Sequence, residues 1–290
     1  MYKLIEANKR NTIIIMIGFV ALIALIGCAF AYAYNDWGIA AYVFIIAAFY
    51  ALIQYYLSSS LAVAMMGARE ITRKENRRLW DIVENLSITT GLPMPKVYVI
   101  DDPAPNAFAT GRDPKHALVA ATTGLIDIMN DNELTAVMAH EMSHIKNYDI
   151  RVSMITFGLV CFVGFISDIG FRMLYLGGRR DDDDRSPIGL LVILVTAILA
   201  PIAAAIAQMA VSREREYLAD ASAAQITRYP EGMIAALKKL DSHARPMKRQ
   251  NSAAEAMFIA NPLKKGTLSS LFSTHPPIEK RIERLEHHDK

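Results

Sequence analysis

Ala139-His140-Glu141-Met142-Ser143-His144 is an H-E-x-x-H sequence, and the residues around it read as a helix. Histidines four residues apart on a helix project from one face, one turn apart. Both imidazoles can then reach one metal ion at about 2.0–2.1 Å. Glu141 points about 100° around the helix from His140. That places its carboxylate beside the metal, where it can take a proton from a bound water. The motif arises by chance in about one chain per hundred of this length, so its helix must be weighed with it. Asn130 or Asp131 can serve as N-cap, and Glu133 lies in the first turn, where acids are favoured. Leu134, Val137, Met138, Met142 and Ile145 share one face. Glu141 falls inside this apolar arc, with His140 and His144 at its border. A solvated charge would lie opposite; an inward carboxylate needs a partner or a metal.

Of the 290 residues, 53% are hydrophobic, which points to membrane segments. The formal net charge of +2 gives no argument for nucleic acid as a partner. The two cysteines, Cys28 and Cys161, lie in apolar runs and form neither a metal pattern nor a disulfide framework. Residues 12–34 are nearly uninterrupted in their apolarity, long enough to span a bilayer and too long for a signal peptide. Asn35 and Asp36 make a polar turn before a second run at 37–57. Tyr32, Tyr34, Trp37, Tyr55 and Tyr56 sit near the ends of these runs as an aromatic belt would. Lys3, Lys9 and Arg10 precede the hairpin and Arg69, Arg73, Lys74, Arg77 and Arg78 follow it, whereas the turn has neither Lys nor Arg. This bias puts both ends of the hairpin in the cytoplasm. Residues 152–171 and 188–211 are two more apolar runs, the second interrupted by Pro201. A four-helix membrane region is therefore expected, with residues 150 and 212 on one side of it. The aspartates at 181–184, between these runs, read as a solvated turn rather than a calcium site.

The chain thus divides into a membrane hairpin (1–57), a first catalytic part carrying the motif (58–150), a second membrane hairpin (151–211) and a second catalytic part (212–290). Within the first catalytic part, residues 58–90 read as a charge-rich helix ended by Gly91-Leu92-Pro93. Residues 96–100, 106–111 and 116–121 read as short strands. A strand beside a metalloprotease helix can pair with extended substrate, which makes Asn106, Ala107 and Phe108 candidate substrate-binding residues. An ordinary interior strand fits the pattern equally well.

A catalytic zinc takes three protein ligands and keeps one position open. The second hairpin would return Glu214 and Glu216 to the side of the histidines, and spacing does not choose between them. Asp220, four residues after Glu216, shares its helical face and could accept a hydrogen bond from a ligand histidine. Either glutamate could instead be a surface charge flanking the membrane. The remaining residues, 221–290, read as helices.

Taken together, His140-Glu141-Met142-Ser143-His144, Glu216-Tyr-Leu-Ala-Asp220, Asn106-Ala-Phe-Ala-Thr-Gly111 and Ser273-Thr-His-Pro-Pro277 resemble the motif set of the HtpX membrane metalloproteases, bacterial relatives of the CAAX prenyl protease. The resemblance covers essentially the whole chain. It implies an α+β, zincin-like catalytic domain, mostly helical with a small sheet, on a four-helix membrane region. It further implies a zinc endopeptidase of the bacterial cytoplasmic membrane, multi-pass, with its site facing the cytoplasm and a role in membrane protein quality control. Protein substrates, membrane proteins among them, and the lipid bilayer would be its partners. On this resemblance His140, His144 and Glu216 hold one zinc ion per chain, Glu141 is the general base, and Asp220 supports the ligands. His275 and Arg281 match positions that line the catalytic cleft.

Two other classes compete. An intramembrane-cleaving protease also uses H-E-x-x-H, but residues 130–133 and 143–149 are too polar for a span. A catalytically silent, metal-stabilised scaffold would have no use for Glu141. Nothing in the sequence signals oligomeric state, physiological substrates or cleavage preference.

Overall fold

The computed structural model describes residues 2–177, 213–249, 257–260 and 276–287. Helix α1 (Tyr2–Tyr34) turns through Asn35 into α2 (Trp37–Met66), whose N-cap Asp36 accepts a hydrogen bond from Gly38 N. Among the described residues these are the two helices long and apolar enough to cross a membrane, over Ile5–Cys28 and Ala40–Met66.

The second helix runs beyond the expected end at residue 57. Ser58, in a run of three serines, does not break it, because its hydroxyl donates to Gln54 O one turn back. Gly67, at a left-handed φ of 68°, caps the last carbonyls. The single helix expected over 58–90 is thus three elements: the end of α2, strand β1 (Ala68–Glu70) and α3 (Arg77–Thr90), which is capped by Asn76.

Strands β2 (Lys96–Ile100), β3 (Ala107–Gly111) and β4 (Ala117–Thr122) follow, and the sheet order is β1-β2-β4-β3. The β2–β4 pair is parallel and the other two are antiparallel. After the short α4 (Thr123–Ile128) comes the motif helix α5 (Asp131–Lys146). The sheet is covered on both faces. Ala107, Ala109, Ala117, Val119 and Ala121 pack with Leu79 and Val83 of α3 and Leu134, Val137, Met138 and Met142 of α5. On the opposite face, Phe108, Leu118 and Ala120 meet Ala62 and Met66 of α2, Phe157 and Phe258. This two-sided burial explains strands that read as continuous apolar runs rather than alternating ones.

Helix α6 (Asp149–Gly177) follows α5 after a two-residue turn in which Tyr148 takes a φ of 62°. It lies against both N-terminal helices through Met154, Ile155, Leu159 and Val163. Tyr50 Oη donates to Gly158 O at 2.9 Å, and a Cβ on Gly158 would fall 1.1 Å from the Gln54 amide nitrogen. Glycine is therefore what lets α2 and α6 approach this closely. Helices α7 (Arg213–Thr227), α8 (Pro230–Ser242) and α9 (Ile278–His287) complete the catalytic layer. The fourth apolar run and the aspartates at 181–184 lie outside the described residues, so the membrane region is seen as two apolar helices with α6 packed on them.

Candidate metal centre

Helix α5 is fixed at its start by a capping box. Asn130 Oδ1 accepts from Glu133 N at 2.9 Å, and Glu133 Oε2 accepts from Asn130 N at 2.7 Å. Lys239 of α8 donates to the same carboxylate at 2.6 Å, so this buried acid is paired. Eleven residues of the helix are buried, and the motif residues lie in its C-terminal half, beyond the Leu134, Val137 and Met138 side chains that pack with the sheet.

His140 Nε2 and His144 Nε2 lie 3.1 Å apart. Helix α7 brings Glu216 to them: its two carboxylate oxygens stand 3.7 Å from His140 Nε2 and 3.5 Å from His144 Nε2. One donor atom from each of the three residues falls within 4.8 Å of the others. Glu214, which spacing could not separate from Glu216, has a side chain 75% exposed and pairs with Arg284 at 3.3 Å.

On their far sides both rings meet a carboxylate. His140 Nδ1 donates to Asp220 Oδ1 at 2.9 Å, and His144 Nδ1 donates to Asp149 Oδ2 at 3.0 Å. A proton fixed on each Nδ1 turns each Nε2 lone pair toward the common point. Two such lone pairs and a carboxylate converging in a buried space fit one divalent cation of the kind that takes nitrogen and oxygen ligands. Burial alone would lower the His144 pKa, but the Asp149 hydrogen bond and the Glu216 and Asp149 charges outweigh it and raise it to about 9. Positive charge is what this pocket attracts.

Arg281 of α9 is 1% exposed. Its Nε and Nη2 donate to the two oxygens of Asp220 at 2.8 and 2.7 Å, and its Nη1 donates to Ile259 O at 3.2 Å. It therefore sits behind His140, clasping Asp220 and standing 3.8 Å from Glu216 Oε2, rather than on an open surface. Burial pushes the Asp220 carboxyl up, yet the Arg281 charge and the hydrogen bonds from Arg281 and His140 hold it below its ordinary value. For His140, burial prevails over Asp220 and lowers the imidazole. Glu141 is buried on the same side of α5, where its charge acts on both His144 and Arg281.

Of the candidate substrate residues, Ala107 and Phe108 open β3, an outer strand of the sheet, and Asn106 immediately precedes it. Asn106 Nδ2 donates to Ala260 O at 2.8 Å, and Ala107 O accepts from Ile259 N at 3.0 Å. Phe108 forms an antiparallel bridge with Phe258 and packs against its ring, in the core on the side away from α5. These three residues thus hold the 257–260 segment, which in turn contacts Arg281. His275 lies outside the described residues.

Sequence reasoning missed Asp149. It is five residues beyond His144 and looks like the opening acid of an ordinary helix. It also missed Asn8, whose side chain reaches Asp149 from α1. Asn8 is one of two asparagines, with Asn11, just ahead of the apolar run, and nothing in the sequence marks it out.

Comparison with known proteins bears on the same residues. The model of peptidase family M48 matches residues 73–289, which include both histidines, Glu216, Asp220 and Arg281. A protein named Protease HtpX homolog from Tropheryma whipplei (strain Twist) is 54% identical over 286 residues, covering 99% of this chain and 98% of the relative. A second so named, from Ligilactobacillus salivarius (strain UCC118), is 47% identical and covers 99% of each chain. The crystal structure of Ste24p from S. mikatae shares the fold at a TM-score of 0.52 and 19% identity, over 99% of this chain and 67% of that one. Agreement of this length and depth does not arise from a chance H-E-x-x-H, and the chain belongs to peptidase family M48 as a membrane metalloprotease.

Proposed function

We propose that this protease is a zinc endopeptidase of the cytoplasmic membrane that cleaves membrane proteins and misfolded proteins on the cytoplasmic side. The observation that carries the proposal is the pair of histidine–carboxylate bonds behind two inward-facing Nε2 atoms, with Glu216 closing the third side. His140, His144 and Glu216 would hold the metal. Zinc, when bound, supplies a water of pKa near 7 and polarises a peptide carbonyl. Glu141 takes the proton of the attacking water and returns it to the leaving amine. Asp220 and Asp149 keep the imidazole protons on Nδ1, so neither ligand ring flips its lone pair away.

The substrate strand is assigned to the β3 edge beyond Phe108, because residues 258–260 already pair with Phe108, Ala107 O and the Asn106 amide. Asn106 and Phe108 then anchor the 257–260 segment at which that free edge ends. The basic residues flanking the α1–α2 hairpin support a cytoplasmic site, and the apolar runs at 152–171 and 188–211 support two further spans. A site fastened to α1 through Asn8 and Asp149 supports a role in the quality control of membrane proteins.

Casein hydrolysis by the purified full-length protein tests the enzyme against the silent scaffold. Glu141→Gln is expected to lower turnover roughly 10²–10⁴-fold while zinc content stays at one per chain. A zinc-loaded wild type that leaves casein intact, or a Glu141→Gln protein as fast as wild type, rejects the assignment.

A further inference from the structure

We propose that Asn8, in the N-terminal membrane helix, is a positioning residue for His144. The proposal rests on the reading of His140, His144 and Glu216 as metal ligands. Asn8 is 5% exposed and spends both amide protons on the junction between α5 and α6. One goes to Asp149 Oδ1 at 2.7 Å and the other to Asn147 O at 2.8 Å. The other oxygen of Asp149 accepts the proton of His144 Nδ1 at 3.0 Å. A continuous chain of hydrogen bonds therefore runs from α1 through Asp149 to the imidazole.

The two anchored groups stand on either side of Tyr148, whose left-handed φ of 62° is unfavourable for a bulky residue. Holding residues 147 and 149 together keeps that turn in place. Lys9 adds to the clamp, with Nζ 4.5 Å from the centroid of the Tyr148 ring. From the catalytic side, Arg215, next to Glu216, places Nη1 3.4 Å from Asn8 Oδ1 and 3.6 Å from Asp149 Oδ1. A buried amide is costly unless its hydrogen bonds are made, and here they are made with the support of a metal ligand. A hydrophobic anchor alone has no need of this residue. The first span accordingly works as part of the metal site.

A double-mutant cycle on zinc affinity separates positioning from simple docking of α1. Apparent affinity is measured in the full-length protein in detergent at fixed pH, by competition with a chelating indicator, together with the unfolding midpoint. Asp149→Ala is expected to weaken zinc roughly 10–100-fold, and Asn8→Leu roughly tenfold. In the Asp149→Ala background, Asn8→Leu should add less than about twofold, because its route to His144 is already gone. Asn8→Asp keeps the shape and the acceptor facing Arg215 but lacks both donors, and is expected to match Asn8→Leu; it decides the matter if the leucine variant does not fold. Equal losses in both backgrounds, or full affinity in both Asn8 variants, would overturn the proposal. A wild type that binds no zinc sinks the metal reading itself, whereas a zinc-binding wild type with indifferent Asn8 variants sinks only this inference.

Discussion

His140 and His144 rise from one helix, one turn apart, and each gives its Nδ1 proton to an aspartate, yet the two sides of the site are built from different material. Behind His140 stands the C-terminal part of the chain: Asp220 on α7, clasped by the buried guanidinium of Arg281 on α9. Behind His144 stands the membrane part: Asp149 at the head of α6, held by Asn8 of α1. The side chain of His140 is 1% exposed and that of His144 16%. Both imidazoles are desolvated, so the difference in their proton affinities comes from their partners. The charge of Asp220 is largely answered by Arg281, and burial lowers His140. Asp149 and Glu216 act on His144 strongly enough to raise it. One side is thus made rigid by a buried ion pair; the other is made attractive to cations by carboxylates with less compensation.

The largest expected effect is on the His140 side. Arg281→Met would leave Asp220 buried without its cation, with Glu216 close by, and breaking such a pair costs roughly 3–5 kcal/mol. Thermal unfolding of the full-length protein should show a clear fall in midpoint together with loss of zinc. An unchanged midpoint would mean that the ion pair is not what holds that side. On the His144 side the balance reverses. Asp149→Ala should reduce zinc affinity roughly 10–100-fold with a much smaller change in midpoint. If both variants lowered stability and affinity in the same proportion, the two sides would be equivalent after all. The smallest effect belongs to the far end of α5, where Asn130→Ala should cost about 1 kcal/mol and leave zinc affinity alone. A loss of affinity there would show that the histidine spacing depends on the helix start as well as on the two aspartates.

The site was legible in proportion to how local its parts are. His140, Glu141 and His144 lie within five residues on one helix, so their geometry follows from helical periodicity. Asp220 follows in the same way once Glu216 is given. Choosing Glu216 over Glu214 required the resemblance or the fold, because both lie in one turn of α7 and only tertiary packing exposes the second. Asp149 and Asn8 were invisible, since their pairing joins residues 141 apart in sequence.

The fold shows the same division. Strands β2, β3 and β4 announce themselves through β-branched and small apolar residues. Ala68–Glu70 has no such pattern and is a strand only because β2 offers it an edge. The second apolar run reads as ending at residue 57, but the Ser58 hydroxyl, bonded one turn back, carries α2 on to Met66.

The clasp on His140 also sets an order of events during biosynthesis. Arg281 and His140 are 141 residues apart in sequence, and the chain is made from its N-terminus. The anchor, the sheet and the histidine helix can therefore assemble on the ribosome while the arginine is still unmade. At that stage Glu216 and Asp220 have at best just emerged, and they approach His140 as two carboxylates without the guanidinium that lets them be buried together. The motif helix would thus be complete well before the site it serves, because Asp220 lacks its cation until Arg281 is made. By the time residue 281 is added, α1 and α6, which carry the His144 side, have long been made.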